Sequence, residues 1–187
     1  MEIVRTADFQ SVVTLDAAKT FLRVDGDDED SLIGGLLASA TNLVEKVCNR
    51  ILIEESVTLL TTGFPCGPVL LFGGKVSEVS AVRYLNSQNI ITTLSPSSYR
   101  VDVRGVRGLV DQVVSWPSTS DAFNSVQVEY TVGYESADKV PEPIKTAILL
   151  LAASWYANRE AVVTGTIVEE LPLGVRALLT PYRLIGF

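Results

Sequence analysis

Leu15, Ala18, Phe21 and Leu22 recur at helical spacing behind Thr14, which predicts a short helix over residues 15–23 with Thr14 as its N-cap and Gly26 as its stop. The same spacing resumes with Leu32, Ile33, Leu36, Leu37, Ala40, Leu43, Val44 and Val47. A longer helix to about Asn49 is therefore expected, burying one face along its length. Asp27 and Asp28 stand where they can cap it, and their charge is favourable at its positive N-terminal end. From Ile51 to Tyr134 the pattern becomes β-type, with short Val/Ile/Leu/Tyr runs punctuated by Gly and Pro. Val126, Val128, Tyr130 and Val132 alternate with Gln127, Glu129 and Thr131, as a strand with one buried face requires. About five to eight short strands, mostly antiparallel, are expected, with Gly73-Gly74-Lys75 as a hairpin turn and Gly105 to Gly108 as a turn between strands.

The helical signal returns at Pro141, a residue tolerated in a first helical turn because its missing N–H has no partner there. The helix from about Glu142 to Glu160 has no charge between Lys145 and Arg159, so it needs cover on more than one side. One side can meet the helix of residues 29–49, and the other is open to the β lobe or to a neighbouring subunit. The fold class is α+β: a helical bundle core of two N-terminal helices plus one C-terminal helix, interrupted by a mostly antiparallel β lobe. The expected boundaries are 12–50 and 136–160 for the helical core, 51–135 for the β insertion and 161–187 for a C-terminal arm. Leu36, Leu43, Ile148 and Trp155 are the expected core of the bundle.

At 187 residues and 47% hydrophobic composition the chain can bury a sizeable core. Its formal charge of −7 argues against tight binding of nucleic acid, which needs clustered Lys and Arg to neutralise phosphates. Two cysteines, Cys48 and Cys66, fit a reducing cytosol without a disulfide framework. The start of the chain lacks the apolar stretch of a signal peptide, and the longest uncharged apolar run, Thr146 to Asn158, falls short of the roughly 20 residues a bilayer span needs. The expected product is soluble, with no membrane association.

The chain contains no histidine, which removes Ser-His-Asp and Cys-His arrangements, histidine acid/base work and most zinc sites. The acidic stretch from Asp25 to Asp30 fails the calcium-loop pattern, since Asp30 and Leu36 stand where Gly and Glu are required. It is taken as a solvated, helix-capping turn. Gly73-Gly74-Lys75 lacks the spacing and the Ser/Thr of a phosphate loop. No catalytic residue, metal ligand or cofactor is assigned.

Three segments together resemble the head-tail connector (adaptor, head completion) proteins of tailed bacteriophages. They are Thr14 to Asp25 with the long helix after it, the Pro-flanked helix from Pro141 that ends Trp155-Tyr156-Ala157-Asn158-Arg159-Glu160, and Leu171-Pro-Leu-Gly-Val through Pro181-Tyr182-Arg183. The resemblance implies a non-enzymatic virion protein at the head-tail junction, made in the host bacterial cytoplasm. Members form a ring, commonly dodecameric, that docks on the portal after DNA packaging and offers the attachment surface for the next neck or tail protein. Shorter members lack a β lobe such as residues 51–134. DNA would pass through the lumen without specific binding, and an acidic lumen suits that passage.

The last 17 residues carry two Arg and no acid, with nine large apolar side chains. They are expected to leave the subunit body and bind a neighbour in the ring or the portal. Leu171, Val175, Leu178, Leu179, Tyr182 and Phe187 would form the apolar contact, and Arg176 and Arg183 would meet acidic partners. The alternative is a tail folded back on its own core. Arg159 suits the negative end of its helix, and a salt bridge across a subunit boundary to the acidic turn, with Asp27 and Asp28, is the other reading. Two further function classes stay open on the residues alone: a β-sandwich ligand-binding or adhesion module, and a carboxylate-dependent hydrolase built on the β lobe.

Overall fold

The computed structural model describes residues 2–5, 11–158 and 171–184. The chain divides into two compact units, one of Phe9–Ile53 with Glu135–Phe187 and one of Met1–Asp8 with Glu54–Tyr134.

The first unit is helical. Helix α1 (Leu15–Leu22) starts at Thr14, whose hydroxyl accepts the Ala17 N–H at 3.3 Å. It ends on Arg23 in the left-handed conformation (φ 58°), whose N–H bonds back to Lys19 and Thr20 carbonyls. The expected stop at Gly26 is thus corrected by three residues: the helix closes its own carbonyls before the glycine is reached. Helix α2 (Asp30–Cys48) buries Ile33, Leu37, Ala40, Val44 and Cys48. That seam lies one position beyond Leu36 and Leu43, which are only half-buried. Glu29 occupies its N-cap position, its side chain making no cap bond to the helix, so Asp27 and Asp28 do not stand in the capping position expected of them. Asp27 is drawn instead to the full positive charge of Lys19, at 2.7 Å.

Helix α3 (Glu142–Ala157) buries Ile144, Ala147, Ile148, Leu151 and Ala152. It packs against α2 and against helix α4 (Leu173–Leu179). Trp155 is half-buried rather than central. A second side of α3, open in the sequence to the β lobe or a neighbouring subunit, is covered by α4 from within its own unit.

This corrects the reading of the C-terminal segment as a departing arm. Val175 and Leu179 are buried at 1% and 0% exposure within the helical unit. The segment is also tied to the end of α2: the Leu184 N–H donates to the Cys48 carbonyl at 2.9 Å and Arg183 Nε to the Val47 carbonyl at 3.2 Å. Arg50 Nε donates to the Tyr182 carbonyl at 2.6 Å. The last carbonyls of a helix have no partner within it, and the returning segment supplies donors. Phe187, the remaining expected anchor, lies outside the described residues.

The second unit holds eight described strands: β1 (Glu2–Arg5), β2 (Glu55–Thr61), β3 (Val69–Leu70), β4 (Val76–Leu85), β5 (Ile91–Thr93), β6 (Tyr99–Asp102), β7 (Leu109–Gln112) and β8 (Val126–Val132). They form a five-stranded sheet, β1-β2-β8-β4-β5, and a three-stranded sheet, β3-β7-β6. Every pairing is antiparallel. Strand β8 is central, with Val128 opposite Leu59 on one side and Val82 on the other. Its alternation is the one expected, with Val126, Val128, Tyr130 and Val132 all buried. The buried Tyr130 hydroxyl donates to the Phe72 carbonyl at 3.0 Å, and burial pushes its pKa up to about 12.

Two local readings change. Gly73 and Gly74, at φ 92° and 120°, join β3 of one sheet to β4 of the other, so they make a crossover rather than a hairpin. Residues 105–108 do connect the paired strands β6 and β7, and Gly108 there leaves no room for a side chain: a Cβ would lie 2.9 Å from Val76 Cγ2. Strand β1 was not foreseen. It pairs with β2 from Glu2↔Leu60 to Arg5↔Val57, and Arg5 forms an ion pair with the buried Glu55.

Two truncations probe the helical unit. Ile148→Ala and Leu179→Ala should each lower stability by about 2–5 kcal/mol, measured by denaturant unfolding, because each empties a fully buried site. A Leu179→Ala protein with an unmoved midpoint would show that α4 is not part of this core.

Candidate interaction site

The two ends of α2 carry opposite charge. Before its N-terminus runs Asp25-Gly-Asp-Asp-Glu-Asp30, with Asp25, Asp27 and Asp28 exposed. Lys19 reaches this turn from α1 and pairs with Asp27 at 2.7 Å and with Asp30 at 2.8 Å. These hydrogen bonds raise the Lys19 pKa above its ordinary value, and the bond from Lys19 holds the Asp27 carboxyl below its ordinary range. Glu29, on the same turn, accepts a hydrogen bond from the Tyr156 hydroxyl at the end of α3.

At the far end of α2, Lys46 and Val47 face Leu171, Arg176 and Arg183 around an open cavity of about 280 Å³. Lys46, Arg176 and Arg183 are exposed. Several cations elsewhere are matched: Arg83 with Glu129, Arg100 with Asp111 at 3.1 Å, Arg104 with Asp102 at 2.9 Å, Lys145 with Glu142 at 2.8 Å. Around the cavity no carboxylate among the described residues pairs with Lys46, Arg50, Arg176 or Arg183. Next to Lys46 in the chain, Glu45 is buried and its carboxylate accepts the Leu52 N–H at 2.8 Å, fixing the turn that leaves α2.

The expected interface residues thus fall into four groups. Leu171, Arg176 and Arg183 line the basic cavity, with Leu178 and Tyr182 half-buried nearby in sequence. Val175 and Leu179 are core and present no surface. Asp27 and Asp28 lie on the acidic turn, while Arg159 and Phe187 are outside the described residues. Lys46 and Arg50 were missed, although a cationic pair four residues apart at the end of an apolar helix was visible in the sequence.

In the β unit, Phe64 stacks on Trp116 with ring centroids 4.4 Å apart, while Phe123 and Val114 stand 89% and 88% exposed. Cys48 and Cys66 are free thiols, the first buried. Among the described residues no cluster of three or more metal-ligating side chains occurs, and no helix is long and apolar enough to cross a membrane. What the described surface offers is charge and apolar area for association with other chains.

The class that the fold defines is a mixed α+β protein, with one helical unit and one antiparallel β unit. The chain belongs to the head completion protein family, which matches residues 11–185. Among solved structures it is similar to a chain from the neck of an empty gene transfer agent particle computed with C6 symmetry, at 20% identity and a TM-score of 0.82. Chains from the virion of a native gene transfer agent particle (20% identity, TM-score 0.80) and from the neck of a native particle computed with C12 symmetry (21%, 0.74) share the fold. Each similarity covers 100% of this chain and 97% of the other. No curated protein matches the sequence.

The Lys19–Asp27 pair gives a pH test. A depressed carboxyl stabilises the fold above its unfolded pKa, near 3.8, and loses that contribution as pH falls through the folded value. A raised lysine contributes below its unfolded value of 10.5 and is lost as pH rises through the folded one. Asp27→Asn should therefore melt below the wild type at neutral pH, with the gap closing in acid below about pH 3.8. A gap that persists unchanged at pH 2 would rule out the ion pair as its source.

Proposed function

We propose that this protein is a structural component of the virion head-tail junction, where copies form a ring that docks on the portal after DNA packaging and presents the attachment surface for the next neck or tail protein. The observation that carries this reading is the family match over nearly the whole chain, joined to a fold shared end to end with neck chains. The physical character of the chain agrees. A net charge of −7 suits a lumen through which DNA slides without sticking, because like charges repel and no phosphate grip forms. The cations at the end of α2, which meet no carboxylate among the described residues, and the exposed apolar side chains of the β unit are surfaces that an assembly can cover.

Deleting the coding sequence from a particle-producing strain should yield heads filled with DNA but lacking tails, seen by electron microscopy. Supplying the full chain in trans should restore tailed particles and place the protein at the neck. Normal tailed particles in its absence would overturn the proposal.

A further inference from the structure

We infer that adjacent copies of this chain join head to tail through α2, the acidic turn at residues 25–28 of one copy entering the basic cavity of Lys46, Arg176 and Arg183 on the next. The inference rests on the ring reading and deepens it by naming a contact.

Both surfaces belong to the helical unit, so their separation is set by one rigid element. Helix α2 has 19 residues and spans about 28 Å at 1.5 Å per residue. Its acidic turn and its basic cavity stand at opposite ends, and a surface at one end cannot satisfy the other within the same copy. Two different patches meeting from copy to copy make a heterologous contact, the type that generates rings when the rotation closes.

Charge selects the occupant. Arg183 and Arg50 spend Nε on the Val47 and Tyr182 carbonyls, and among the described residues their terminal guanidinium nitrogens have no carboxylate partner. Lys46 and Arg176 are exposed, and the cavity wall adds the apolar Val47 and Leu171. The negative end of α2 favours cations here but is a partial charge, whereas an entering carboxylate supplies a full one. On the other side Asp27 is held by Lys19, so Asp25 and Asp28 are the carboxylates on offer. Their chain neighbour Gly26, at φ 84° with open space around its Cβ position, makes a slender turn. A cavity of about 280 Å³ takes one or two such side chains rather than a folded element.

Charge reversal tests the contact in the full-length chain. The self-association constant would be measured by sedimentation for the wild type, Lys46→Glu/Arg176→Glu, Asp25→Lys/Asp28→Lys, their equimolar mixture and the chain carrying all four changes. Each double variant alone should associate at least about tenfold more weakly than the wild type, while the mixture and the fourfold variant recover association. The wild-type constant should fall as salt rises. Should the cavity variant fail to fold, the Asp25→Lys/Asp28→Lys protein, altered only on an exposed turn, carries the test. Double variants that associate as the wild type does, or a wild type monomeric to several hundred micromolar, would overturn the contact. The ring reading is decided separately, by the copy number of the protein in purified necks, so the two can fail independently.

Discussion

The fold of the helical unit depends on covering α3. Between Lys145 and Arg159 that helix carries no charge, so water is excluded profitably only if more than one side is packed. Helix α2 takes one side, and a single partner cannot wrap the rest. The chain meets the remainder by returning α4, with Val175 and Leu179 inserted into the unit. That return brings residues 182–184 to the end of α2, where N–H donors meet carbonyls that the helix itself leaves open. It also sets Arg176 and Arg183 beside Lys46. One hydrophobic requirement thus builds the basic cavity as a by-product of closing a core.

The electrostatics then follow from position along α2. Acidic side chains gather before its N-terminus and cations at its C-terminus, each sign favourable against the local helix charge. At the acidic end the arrangement is partly neutralised by Lys19, which also joins α1 to α2. At the basic end no described carboxylate does the same. An acidic protein whose basic pole meets no carboxylate among the described residues has an asymmetry that self-association can use.

The β unit is organised around β8, whose buried face meets β2 and β4 on either side. Its partners are far apart in sequence, and β1 comes from the other end of the chain. Pairings of that kind carry no local signal, since a four-residue strand at a terminus has too few alternations to show a period. The glycines between β3 and β4 illustrate the same limit. Positive φ at Gly73 and Gly74 was legible as a turn, but whether the chain doubles back or crosses to another sheet is set by the partners of the flanking strands.

Local periodicity and composition by themselves determined the α+β class, the positions of α1, α2 and α3, the alternation of β8 and the absence of histidine chemistry. Those properties depend on neighbours a few residues away, and the family resemblance rested on the three helical segments together with Leu171 to Arg183. Tertiary structure decided where the apolar C-terminal segment goes, which carboxylates Lys19 holds, and that Lys46 meets Arg176 and Arg183. Hydropathy states that Leu179 must leave water but not whose core it enters, because burial is non-directional and only the shape left open along α3 makes the choice.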